Sequence, residues 1–210
     1  MILSRDAKKG GVAILTPTKT GTRSAESSLS ASGLFVVEMP RHSPVVPPEY
    51  RKGRVIVTIR HPHARLVSAY FFGRKLANQP TSWFNGKADG GFVRFVRAWV
   101  AARSSQKRKH HDWTATQSEY VASAVETNGG AKVSLHRLED EGTAGLVKKL
   151  REWYPKLEAE AKHVNRSMPE GNRWEDFWTE TLLDEVGPYL DVDLQLGNYI
   201  KPTPAVHDGR

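Results

Sequence analysis

The sequence contains no cysteine. Disulfides, thiolate metal sites and cysteine nucleophiles are therefore excluded. No apolar run approaches the length of a membrane span, and the opening MILSRDAKKGG has no hydrophobic stretch of the signal-peptide kind. Those absences predict a cytoplasmic protein without a membrane span. Internal repeats and low-complexity tracts are missing as well. Acidic residues are in deficit: 23 Asp and Glu face 31 Lys and Arg, a formal net charge of +8. Such a surface attracts anions, among them nucleic acid, acidic lipid, charged glycans and nucleotides, and the excess alone does not choose between them. What is present is a hydrophobic fraction of 39% with six Trp in 210 residues, enough to bury one core, so the chain reads as a single globular domain, 1–210.

Apolar runs and punctuation predict strands alternating with helices. Val12 to Thr16, Leu34 to Glu38, Arg54 to Ile59 and Lys132 to Leu138 read as strands. RVIVTI, at 54–59, is β-branched and continuous, the pattern of a parallel strand covered on both faces. Helices are expected at 22–31, 63–76, 92–102, 117–126, 145–154 and 174–186. Phe92, Phe95 and Trp99 have helical spacing and read as core. Residues 39–53 and 78–91 read as loops. The alternation predicts an α/β fold with a central parallel sheet and helices on both faces.

Two segments carry chemistry. The first is Thr18-Lys19-Thr20-Gly21-Thr22-Arg23-Ser24, between a strand and a helix. Gly21 permits a tight turn. Backbone N–H groups at the helix start, joined by Thr and Ser hydroxyls, can wrap a tetrahedral anion, and Lys19 adds a mobile charge. An ordinary helix start with a solvated lysine would look similar. No glycine directly precedes Lys19, so this is not a Walker A loop. RVIVTI ends in Arg60, not in the acidic residue that holds Mg²⁺ in nucleotide hydrolases. The pair of features suits phosphate held without metal, and no His/Asp/Glu cluster has metal-ligand spacing.

The second segment is Arg60-His61-Pro62-His63-Ala64-Arg65-Leu66-Val67-Ser68-Ala69-Tyr70. Arg60 ends a strand, where open α/β sheets bind ligands. Pro62 opens a helix, and Ser68 lies two turns in, on the side expected to look back toward Arg60 or Lys19. An Arg fork and a Ser hydroxyl together make a phosphate clamp. A surface helix with solvated side chains is the plainer alternative.

In order and spacing the two segments resemble PAPS-dependent sulfotransferases, whose P-K-[TS]-G-T-T-S loop binds the 5′-phosphosulfate and whose R-x-P-x-x-R-x-x-S-x-Y segment binds the 3′-phosphate. Thr18 separates Pro17 from Lys19, and Arg23 replaces the second Thr. The K-x-G-T-R form is similar to glycosaminoglycan sulfotransferases. Looser likenesses follow at LHRLED (135–140), at HVNRS (163–167), which brings Asn165 and Arg166 near the nucleotide, and at 189–199. The resemblance implies a three-layer P-loop-like fold, PAPS as co-substrate with PAP as product, and a carbohydrate-like hydroxyl acceptor. It implies that Lys19 stabilises the leaving phosphate and that Thr20, Gly21, Thr22, Arg23 and Ser24 cradle the 5′-phosphate. Arg60 and Ser68 would take the 3′-phosphate. Glu38, ending a strand, or His42, in the Pro-rich loop, would be the base.

Other features read both ways. Residues 103–113 hold two Lys, two Arg, two His and one Trp; a solvated basic loop is expected there, with an acidic acceptor as the functional alternative and no specific nucleic-acid partner. Trp83 and Phe84 could form a sugar-stacking lid or a small satellite core. A P-loop kinase or a noncatalytic polyanion-binding module are the competing functions.

Overall fold

The computed structural model describes residues 1–6, 10–38, 42–76, 87, 90–105, 114–127, 132–162 and 168–204. They gather into two compact units, one of residues 1–60 with 117–165, the other of 61–116 with 166–210.

The first unit is built on a five-stranded sheet: β1 (Ile2–Ser4), β2 (Val12–Leu15), β3 (Phe35–Val37), β4 (Arg54–Ile59) and β5 (Val133–Arg137), in spatial order β3-β1-β2-β4-β5. β2–β4 and β4–β5 pair in parallel, while β1 pairs antiparallel with both β2 and β3. The sheet is thus mixed, which corrects the expectation of a parallel one. The cause is β1, a three-residue strand that the periodicity did not announce. Only residues 5–11 join it to β2, too few for the crossover that parallel neighbours need. The chain must double back there, and the Ser4 hydroxyl oxygen accepts the Val12 N–H at 2.7 Å across the turn. β3, antiparallel to β1, consequently runs the same way as β2, β4 and β5.

Helices cover the sheet. α1 (Thr22–Leu29) and α5 (Leu138–Arg151) close one face, where Ala25, Leu29, Leu146, Val147 and Leu150 meet Val12, Ile14 and Ile56. α1 reads TRSAESSL, a poor helix former by composition. The Ala25–Leu29 pair, one turn apart, anchors it to the sheet. The alternate residues Ala13, Leu15, Val55 and Val57 are equally buried, and α4 (Gln117–Thr127) packs against β4 and β5. Burial on both faces accounts for the unbroken apolar run of β4. α5 begins directly after β5, earlier than expected, because a first turn precedes a break at Gly142 (φ 56°, ψ −144°) and the longer stretch follows it.

The second unit is helical: α2 (Pro62–Lys75), α3 (Gly91–Ser104) and α6 (Glu180–Gly197), with a 3₁₀ turn at Trp174–Phe177. Phe92, Phe95 and Trp99 sit in its core with Leu66, Val67, Tyr70, Trp178 and Val186, as their spacing predicts. α6 runs past Val186, where Gly187-Pro188 suggests a stop. Pro188 forfeits one backbone bond, but Leu190 beyond it is buried in the same core, and the helix ends only at Asn198 in the left-handed conformation (φ 50°). No helix among the described residues is long and apolar enough to cross a membrane.

Candidate active site

β2 and β4 are neighbours in parallel register, Ile14 opposite Ile56 and Leu15 opposite Val57. The chain therefore leaves both strands at one edge: β2 runs into the lysine turn, β4 into Arg60. On the far side of β4, Ile59 lies opposite Arg137, the last residue of β5. Glu38 follows β3 at the same edge, its N–H donating to the Met1 carbonyl at 3.0 Å. The segments bearing Lys19, Arg60 and Arg137 thus leave three adjacent strands at one edge of the sheet, the location at which open α/β sheets hold ligands. Arg137 is partly engaged by Asp140, with Nε 3.5 Å from Oδ1.

The turn is shaped by two left-handed residues. Lys19 has φ 66° and Gly21 φ 79°. Only Gly21 is sterically suited to that region; a Cβ added to it would also lie 3.1 Å from both terminal carbons of Leu138. Lys19 holds the same conformation at a cost of about 1–2 kcal/mol for an L-residue. Thr20 fixes the turn from inside. Its N–H and its hydroxyl both donate to the Pro17 carbonyl, at 3.2 and 2.6 Å, and its Oγ1 lies 2.9 Å from the Thr58 hydroxyl of β4. Thr20 therefore contributes architecture, and its side chain and amide are committed.

The start of α1 is differently disposed. Gly21 is its N-cap and supplies no side-chain bond, and the first intrahelical bond is Ala25 N–H to Gly21 O at 2.9 Å. The Thr22 and Arg23 amides precede that bond and find no acceptor inside the helix. Thr22 is 7% exposed, and its hydroxyl has no protein partner. A buried hydroxyl left so costs about 1–3 kcal/mol, which an anion oxygen accepting its proton would offset. Arg23 is exposed and Ser24 buried. These donors fit a tetrahedral anion at a helix N-terminus.

His42 joins the same edge. Its Nδ1 lies 2.8 Å from the Thr16 carbonyl oxygen. A carbonyl only accepts, so Nδ1 carries the hydrogen, and in the neutral ring Nε2 is the basic nitrogen. The His42 carbonyl in turn accepts from the Tyr120 hydroxyl at 2.7 Å. Glu38 is exposed. A third imidazole of the unit, His136, donates from Nε2 to the Gly142 carbonyl at 2.7 Å, and burial pushes its pKa down; it holds the break in α5 and takes no place at the strand ends.

Ser68 lies on α2 in the second unit, buried, as is Arg65. Asn165, Arg166, Trp83, Phe84, His110 and His111 lie outside the described residues. Sequence reading passed over Thr58, Gln117 and Tyr120. Nothing in a threonine inside a strand, or in the opening of the helix QSEYVASAVET, signals bonds to segments so far away in the chain. Among the described residues no group of three or more His, Asp or Glu could hold a metal ion.

No family model matches the chain, and no curated protein matches it significantly.

Proposed function

We propose that the protein transfers a sulfuryl group from PAPS to an acceptor hydroxyl, with a carbohydrate-like acceptor as the class favoured by the K-x-G-T-R form of the turn. One observation carries this reading: the segments bearing Lys19 and Arg60 leave adjacent parallel strands at the same edge, which supports a pair of cationic cups for the two ends of a doubly phosphorylated adenosine. The directions of β2, β3, β4 and β5 support a P-loop-like core into which β1 is inserted antiparallel.

In this reading the amides and hydroxyls at the start of α1, with Thr22 foremost, hold the 5′-phosphate, and Arg60 holds the 3′-phosphate. Attack of the acceptor oxygen on sulfur forms the new S–O bond as the bond to the 5′-phosphate breaks in line. Lys19 stabilises the charge that grows on the departing phosphate oxygen. The acceptor proton passes to a base, for which His42 is preferred to Glu38 because its tautomer is fixed by the Thr16 carbonyl.

Equilibrium dialysis tests the reading. Binding of PAP without Mg²⁺, tighter than that of AMP, supports it. ATP binding that requires Mg²⁺ would point to a kinase instead. Polyanion binding that falls steeply with salt and survives Lys19→Ala would point to a noncatalytic module.

A further inference from the structure

α4 does more than cover the sheet. Its first residue, Gln117, is 1% exposed and brackets the peptide unit of Arg60. Gln117 Oε1 accepts the Arg60 N–H at 2.6 Å, and Gln117 Nε2 donates to the Arg60 carbonyl at 2.7 Å. Arg60 directly follows Ile59, the last residue of β4, and the buried Gln117 amide pairs with both its N–H and its carbonyl. One turn later Tyr120, 2% exposed, donates its hydroxyl to the His42 carbonyl. The last residue of α4, Thr127, accepts the Val46 N–H at 3.2 Å. One rigid helix thus grips the strand end that presents the arginine and the loop that presents the histidine. Residues three apart on a helix share a face, so Gln117 and Tyr120 fix Arg60 and His42 relative to each other.

We infer that Gln117 and Tyr120 are positioning residues: Gln117 sets the aim of Arg60 at the 3′-phosphate, and Tyr120 sets His42 against the acceptor. The inference rests on the sulfotransferase reading for its ligands, while the grip itself does not. Neither residue touches substrate. A grip on the peptide unit of Arg60 governs where the guanidinium can reach, so its loss weakens the contact with the nucleotide's 3′-phosphate and leaves the rest of the nucleotide's binding alone. A grip on the His42 carbonyl governs the base, so its loss slows turnover and leaves nucleotide affinity unchanged.

The test uses Gln117→Met, which keeps length and burial but makes no hydrogen bonds, beside Gln117→Ala and Tyr120→Phe, each first checked for native circular dichroism. Expected for Gln117→Met is about a tenfold weaker affinity for PAP, the range of one to two lost hydrogen bonds, with AMP affinity unchanged. Arg60→Ala combined with Gln117→Met should lose no more than Arg60→Ala alone. Tyr120→Phe should lower kcat with PAP affinity unchanged. Wild-type PAP affinity in Gln117→Met, or losses at 60 and 117 that simply add, would overturn the inference for Gln117; an unchanged kcat in Tyr120→Phe would overturn it for Tyr120. Hydrogen exchange of ligand-free protein separates the two levels. If wild type fails to prefer PAP over AMP, the sulfotransferase reading fails. The grip is then judged by the Arg60 amide alone, which should exchange faster in Gln117→Met, and equal exchange would refute it.

Discussion

Thr20 and Thr58 share a buried hydrogen bond of 2.9 Å between the lysine turn and β4. The Thr20 hydrogen is already given to the Pro17 carbonyl at 2.6 Å. Thr58 must therefore supply the hydrogen between the two oxygens, since each hydroxyl has one. It ties the lysine turn to β4 beside the ladder, and Thr58 Oγ1 also lies 3.5 Å from the Leu15 carbonyl oxygen.

Thr58→Val removes that donor and keeps the side chain's shape. Thr20 still binds Pro17, so the fold should survive with a loss of about 1 kcal/mol. Thr20→Val loses both hydroxyl bonds, to the Pro17 carbonyl and to Thr58, while the Thr20 N–H still donates to Pro17; it should cost more, about 2 kcal/mol. Thermal or urea melts measure both, and equal losses would show that the Pro17 bond contributes nothing.

Lys19 allows chemistry and backbone to be separated. Its φ of 66° is strained for any L-residue, so Lys19→Ala keeps the strain and Lys19→Gly relieves it. Turnover should fall in both by about 10²–10³-fold, the usual effect of removing one donor to a developing charge. Lys19→Gly should melt no lower than Lys19→Ala. A glycine variant that retains wild-type turnover would remove the ammonium from the mechanism.

The choice of base is decided by paired variants. His42→Ala should lower kcat by about 10²–10⁴-fold, whereas Glu38→Gln should leave it within a few-fold. The reverse pattern, read in steady-state rates with saturating PAPS, would assign the proton to the exposed carboxylate.

The strand, turn and helix that carry the candidate site were legible in the sequence because their cues are local. A glycine between a strand and a helix can only turn tightly, and the order of β2, turn and α1 follows from residues 12–29. RVIVTI announces a buried strand whose end is fixed by Pro62. The mixed sheet was not legible: β1 has three residues, and its direction is dictated by the shortness of 5–11, a constraint visible only once its partner is known. The fixings of the site were hidden for a related reason. Gln117 and Thr58 act through single hydrogen bonds across long stretches of chain, and such pairs leave no periodicity behind. α6 shows tertiary packing overriding a local signal, since Leu190 holds the helix together beyond Pro188.

In the second unit, His63 makes stability depend on pH. The ring is 1% exposed, neither nitrogen has a protein partner, and it packs edge-on to Trp178 with centroids 4.7 Å apart. Burial first, then the nearby His61 and Lys201, push its pKa down to about 3. The unfolded chain binds this proton near the ordinary value of 6.5 and the folded chain does not. The contribution to stability is therefore complete above pH 6.5 and is lost as pH falls from there toward 3, at up to about 1.4 kcal/mol per pH unit. His63→Phe should flatten the dependence of urea-unfolding free energy on pH in that window. An unchanged slope would mean that the imidazole reaches solvent.

Arg60→Ala tests the cup at the end of β4. A guanidinium bound to a phosphate contributes charge-assisted hydrogen bonds of about 1.5–3 kcal/mol, so its removal should weaken PAP about 10–150-fold. AMP lacks the 3′-phosphate and should bind the variant as it binds wild type. The two ligands share adenosine and 5′-phosphate, so any general damage to the fold would lower both together. A loss confined to PAP puts the guanidinium on the 3′-phosphate, and parallel losses would take Arg60 away from it.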